Sequence, residues 1–383
     1  MKNLQMRFAA LLLILCMIGA SLAGCGQPTP TLSPAQPTSP DSSISSVSQT
    51  DSSPASDTRL FTDSLGRDVE IPADIQKFAP SGSLAQLVLY GLAPDRMVGW
   101  TSKPTDAMAQ YFDAKYINLP TFGTFYGKNA DLNVEALIAA NPQVVIDVGE
   151  VKANMKESLD ALQQQIGIPV VFVEAKLETM GDAYRTLGEL LNLPEDAKKL
   201  ADYCDNTITD AKKYAAAIPQ EKRVKVYYGE GKTGLQTNPK GSFHAEVIEL
   251  VGGSNVADIP ITSGAGGNEI SMEQLLLWTP DVIILGPNSI YQSIGKDALW
   301  QDLTAVQQKK YFEIPNGPYN WMGRPPAVNR IIGVKWLGNL LYPEQFKYNM
   351  ADEVKTFYKL FYHYELTDEQ SKELMANSTF AKQ

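Results

Sequence analysis

Apolar and polar positions change period along this chain. At residues 60–72, LFTDSLGRDVEIP, they alternate about a Leu-Gly turn, the mark of a hairpin. Helical and strand patterns then take turns: SLAQLVLYGL, RMVGW, NVEALIAANPQVVI, PVVFVE and MGDAYRTLGELLNL. The alternation resumes at RVKVYYG (223–229) and runs through HAEVIELVGG, residues 271–285 and VNRIIGVKWLGNLLYP. Strands alternating with helices predict parallel β/α units. Between the two stretches, apolar or small residues fall at 197, 200, 201, 204, 208, 211, 215 and 218, which is helical spacing. Pro194 suits the first turn of that helix, and no Gly or Pro interrupts it afterwards. A helix over 194–218 would span roughly 37 Å, the length of a strut. The predicted fold is α/β: parallel-sheet lobes at 59–193 and 219–350, one long rigid helix between them, and a ligand cleft between the lobes. Residues 351–383 read as a helical extension.

The first residues follow another pattern. Lys2 and Arg7 precede an apolar run from Phe8 to Ala20, too short for a comfortable membrane span and suited to a signal-peptide core. The run ends in LAGC, and small residues before Cys25 resemble a lipobox. Residues 1–24 are therefore expected to leave as a signal peptide, with Cys25 carrying lipid. Residues 25–58 read as a disordered tether: 21 of the 32 residues at 27–58 are Ser, Thr or Pro, which bury too little apolar area to offset ordering. As a random coil the tether spans roughly 30 Å. Of the three cysteines, only Cys204 then stays in the folded part, so no internal disulfide is expected. Composition adds little beyond an exclusion. A net charge of −10 and a pI near 4.9 do not suit nucleic acid, whose phosphates need Lys and Arg.

One word occurs twice. NVEALIAANPQVVI (133–146) returns as SMEQLLLWTPDVII (271–284), aligning Glu135 with Glu273, Leu137 with Leu275, Pro142 with Pro280 and Val144 with Val282 at a constant offset of 138. Each copy reads as a short helix, a Pro-containing turn and a buried strand. A glutamate in a first helical turn is an ordinary dipole preference, but its recurrence at matching places is less ordinary.

DSLGRDVEIP, the two repeated words, HAEVIELVGGSNVAD and WMGRPPAVNRIIGVKWLGNLLYP together resemble the substrate-binding lipoproteins of ABC importers for iron-siderophores and vitamin B12, over about residues 60–350. The resemblance implies two α/β lobes joined by one helix, with the ligand between them. It also implies a permease partner that Glu135 and Glu273 contact from the two lobe tips, a monomer, and a place outside the cytoplasm at the membrane. No cofactor follows from it; a metal would arrive as cargo inside a chelate such as a ferric siderophore, corrinoid, haem or a nickel or cobalt complex.

Open parallel sheets bind ligands outside the carboxyl ends of their strands. The residues expected there are Ser81, Trp100, Tyr126, Tyr228, Glu230, His244, Tyr291, Trp321 and Arg324, from loops rich in aromatic, glycine and polar residues. Arg324 offers a planar fork to anionic oxygens and Trp321 a stacking face. His244 is a candidate contact to ligand or metal, while His363, in an aromatic C-terminal helix, reads as structural. GEGKT (229–233) lacks the first glycine of a phosphate loop, since position 226 is Val. Neither HExxH nor GxSxG occurs, and two distant histidines do not suit a bare-metal site. An exported hydrolase with paired carboxylates is the alternative from another class.

Overall fold

The computed structural model describes residues 57–125, 130–262 and 267–380. The expected signal peptide, Cys25, most of the tether and Tyr126 lie outside the described residues. Strand β1 (Thr58–Thr62) opens inside the segment expected to be tether and pairs antiparallel with β2 (Asp68–Pro72), giving the expected hairpin. Asp63 and Arg67 lock its turn: the guanidinium donates twice to the Asp63 carboxylate, at 2.9 and 2.7 Å.

The N-terminal lobe is built on a parallel sheet ordered β3 (Phe78–Pro80), β4 (Val144–Gly149), β5 (Val170–Glu174). β4 is buried along most of its length, which is why its sequence is a run of apolar residues and not an alternation. Met97 and Trp100 of RMVGW make only single bridges, to Phe78 and Thr121.

The C-terminal lobe holds β6 (Lys225–Glu230), β7 (Gln236–Thr237), β8 (Ser254–Asn255), β9 (Asn268–Glu269), β10 (Val282–Leu285) and β11 (Tyr311–Glu313). Its sheet order is β11-β10-β6-β7-β9, with β8 also on β6. The neighbours β6, β10 and β11 are parallel, as expected. β7 and β9 run antiparallel instead, because GEGKTGLQT turns straight back on itself with Gly231 and Gly234 at positive φ. A reversal so short leaves no room for a helical crossover.

The long helix covers Pro194–Ala216 and buries Ala197, Leu200, Ala201, Cys204, Ile208 and Ala211 on one stripe. It packs along the helix Met180–Leu190, where Gly188 is required: a Cβ there would collide with that of Ala197. A continuous buried core runs through this helix, joining Val144 and Phe78 of one lobe to Val226, Ile284 and Trp321 of the other. The C-terminal extension also joins the lobes. Helix Met350–Phe361 sets Tyr358 against Tyr111, with ring centroids 5.5 Å apart. His363, expected inside that helix, follows its end in the left-handed region, and its Nε2 bonds to the Tyr90 and Gly91 carbonyls at 3.2 and 3.1 Å. The chain then returns to the other lobe, where the Glu313 amide donates to the Asn377 carbonyl at 2.9 Å. Among the described residues no helix is long and apolar enough to cross a membrane.

Candidate functional site

Strand β6 ends at Glu230, which is 7 % exposed. Three side chains converge on its carboxylate. Tyr228 donates its hydroxyl to Oε1 at 2.8 Å, Asn238 donates to Oε2 at 2.7 Å, and Arg324 forks over both oxygens, Nε reaching Oε1 at 2.7 Å and Nη2 reaching Oε2. Burial alone would push the Glu230 carboxyl up. The bonds from Arg324, Tyr228 and Asn238 outweigh it and hold the group below its ordinary value. Glu230 is therefore an anion, and Arg324 is its counterion. The fork expected to meet cargo oxygens is thus engaged within the protein.

Arg324 comes from the loop after β11, which is seated on the helix Asn329–Leu341. Gly333 of that helix permits the approach, since a Cβ there would collide with the Trp321 carbonyl. The same loop fixes His244. The Gly323 carbonyl lies 2.7 Å from His244 Nδ1, so Nδ1 carries the proton and Nε2 keeps its lone pair. Burial, reinforced by the neighbouring Arg324 charge, lowers the imidazole pKa from 6.5 and keeps the ring neutral near pH 7.

His244 lines a cavity of about 200 Å³ with Asn238, Ser242, Phe243 and Glu246 of the C-terminal lobe and Glu150 at the carboxyl end of β4. Both lobes thus contribute strand ends to one cavity. Its size falls below the roughly 300–1,000 Å³ typical of small-molecule pockets. Behind it, Arg330 pairs with Glu246 at 2.7 Å and donates to the Phe243 carbonyl at 2.8 Å.

Other expected contacts are placed elsewhere. Trp100 is in the core, stacked on Tyr90 with centroids 5.6 Å apart and donating Nε1 to the Tyr116 carbonyl at 2.7 Å. Trp321 is wholly buried, so its face packs and is not offered to a ligand. The loop after β11 folds inward there instead of standing at the rim. Ser81 is buried with its hydroxyl donating to Asp147. Tyr228 is buried and acts only through Glu230. Tyr291 is half-buried against Tyr311 and does not line the cavity. Among the described residues no group of three His, Cys, Asp or Glu is arranged to hold a metal ion.

Glu150 and the stretch 228–244, with Asn238 and Ser242, fall at strand ends where the sequence places ligand, though none of the three stood out singly; Glu246 and Arg330 were not selected. Arg330 had a signal that it shares with Lys335: each is a charged residue in a helix that is otherwise mostly apolar, the mark of a buried segment.

The repeated words form matching units. Helices Val134–Ala140 and Met272–Trp278 are capped by Asn133 and Ser271, whose side chains accept from the Ala136 and Gln274 amides at 3.0 and 3.2 Å. Glu135 and Glu273 are each the second helical residue, and both are exposed. Both helices stop at left-handed residues, Asn141 and Thr279, again 138 apart.

A family model described as periplasmic binding protein matches residues 81–318. Among solved structures, the chain is similar to an ABC transporter solute binding protein from Sulfurospirillum deleyianum at 32 % identity, with a TM-score of 0.76 and coverage of 83 % of this chain and 99 % of that one. A periplasmic solute binding protein from Veillonella parvula gives 27 % identity, a TM-score of 0.68 and coverage of 84 and 98 %. The molybdate periplasmic binding protein of Haemophilus influenzae gives 21 % identity, a TM-score of 0.65 and coverage of 81 and 99 %, and shares the fold. No curated protein sequence matches.

Proposed function

Because this chain belongs to the periplasmic binding proteins, the extracytoplasmic solute-binding components of ABC importers, we propose that its cargo is a metal chelate, a ferric siderophore foremost, held between the lobes beside His244. As a member of that family it binds and delivers a small molecule to a permease and catalyses no reaction. The observation that carries the chelate reading is the Gly323–His244 contact. A backbone carbonyl that fixes one imidazole nitrogen leaves the other as a neutral donor of electrons, suited to a hydrogen on the cargo or to an open coordination position of its metal. Corrinoid, haem and nickel or cobalt chelates share that chemistry. Titrating the protein with a panel of these chelates while following tryptophan fluorescence tests the reading. Absence of saturable binding by any member would sink it.

Binding through Nε2 has a pH signature. The folded pKa of His244 is lowered from 6.5, so Nε2 is unprotonated at neutral and alkaline pH and acquires its proton only in more acidic buffer. Affinity should be level above pH 7 and decline as pH falls below 6.5, and His244→Gln should flatten the profile. A decline on the alkaline side would contradict the assignment.

We also propose that Cys25 carries a lipid and that residues 25–57 tether a monomeric folded part to the membrane. The support is LAGC after a short apolar core. Cys25→Ser should move the protein from the membrane fraction to the soluble one or leave its leader uncleaved. Unchanged incorporation of labelled lipid would rule the anchor out.

A further inference from the structure

Several charged groups around the cleft are held in ion pairs. Glu230 is paired with Arg324, Glu246 with Arg330, Glu174 with Lys176 and Glu178 with Lys212. Glu150 has no ion pair or side-chain hydrogen bond among the described residues, although it lies close enough to Arg330, Glu246 and Lys176 to influence each of them. The two guanidiniums do not compensate for it inside the cavity. Neither lines it: Arg330 is 1 % exposed and is directed to Glu246 and the Phe243 carbonyl, and Arg324 is spent on Glu230. The formally charged residues of the cavity wall are Glu150 and Glu246, both acidic, and His244 is neutral.

A second observation points to a missing partner at the same place. Ser242 lines the cavity, is 7 % exposed, and its hydroxyl has no hydrogen-bond partner. A buried hydroxyl without a partner costs free energy unless something else meets it. The wall thus offers one unmatched carboxylate, one hydroxyl and one imidazole lone pair, from both lobes.

We propose that the cargo presents a positive charge to this cavity, and that Glu150 is the residue that selects for it. The inference rests on the solute-binding reading above and narrows it: among chelates of similar bulk, those bearing a pendant ammonium or a net positive charge are taken in preference to neutral and anionic ones. An anionic complex would face Glu150 and Glu246 with no cation on the wall to receive it. Being the N-terminal lobe's charged contribution to the cavity, Glu150 also makes recognition depend on both lobes being in place.

Ferrioxamine B, ferrichrome and ferric enterobactin supply a cationic, a neutral and an anionic ferric chelate. Their affinities for the full chain and for Glu150→Gln and Glu150→Lys, measured by fluorescence titration, test the proposal. Expected is the order cationic, neutral, anionic for the unaltered protein. Glu150→Gln should weaken the cationic chelate about tenfold, equivalent to about 1.4 kcal/mol, and leave the neutral one near its starting affinity. Glu150→Lys should reverse the order. Equal or tighter binding of the anionic chelate, or an order untouched by Glu150→Gln, overturns the charge selection while leaving the chelate reading standing. Binding of none of the three by any variant counts against the chelate reading itself, and the charge selection falls with it. Matching melting temperatures among the variants separate loss of contact from loss of fold.

Discussion

Arg324→Ala should lower both the stability of the protein and its hold on cargo. The substitution leaves the Glu230 carboxylate at a site that burial disfavours, with only Tyr228 and Asn238 to satisfy it. Stranding a buried charge costs about 3–5 kcal/mol when the pair is fully enclosed. The Arg324 side chain is 34 % exposed, so solvent screening reduces the expected loss to about 2–3 kcal/mol. Cargo affinity should fall by about tenfold or more, because Gly323, which orients His244, adjoins the residue being removed. Arg324→Lys should restore only part of either property, since an ammonium cannot span both carboxylate oxygens in a plane. The double variant Arg324→Ala/Glu230→Gln separates the causes: with the stranded charge gone, denaturant stability should return most of the way. Unchanged stability in Arg324→Ala would mean that Glu230 finds another counterion and that the pair does not hold the loop.

The largest effect on transport should come from a pair of sites far from the cavity. In the variant Glu135→Lys/Glu273→Lys, uptake through the importer should fall by about tenfold or more while cargo affinity and melting temperature stay near those of the unaltered protein. Both glutamates are exposed and stand at equivalent places on capped helices, so their replacement disturbs no packing. A single exposed ion pair contributes roughly 0.2–1 kcal/mol. One reversal should therefore be mild, and two should act together because attraction becomes repulsion at both tips. Transport assays in proteoliposomes, run beside cargo titrations, check this. Normal uptake by the double variant would remove these residues from the docking surface.

The two lobes, their helix and the hairpin were legible because each rests on a period. A buried stripe at helical spacing and a run of apolar residues in β4 or β10 leave marks that need no tertiary knowledge. The repeat at an offset of 138 was legible for the same reason. Its closing feature, a left-handed residue at both Asn141 and Thr279, was hidden because neither is glycine. The site was less legible. Loop composition directed attention to strand ends at which the structure brings Glu230, Arg324 and the Gly323–His244 contact together. Trp100 and Trp321 were misleading, since an aromatic residue in a polar loop gives no sign of whether the loop folds over it. Glu150, Ser242 and Arg330 matter through what they lack or face, and those are properties of the folded arrangement.

The C-terminal extension has a consequence for the order in which the fold is completed. Tyr90 and Gly91 give their carbonyls to His363, 273 and 272 residues further along, and Gln86 meets Tyr319 at a separation of 233. Contacts between such distant positions form late, after the loop-closure entropy has been overcome. Packing that depends on these contacts therefore follows that of the local β/α units. The C-terminal extension thus acts as a clasp, closing over helix Ser83–Leu92 a lobe that the local β/α units begin.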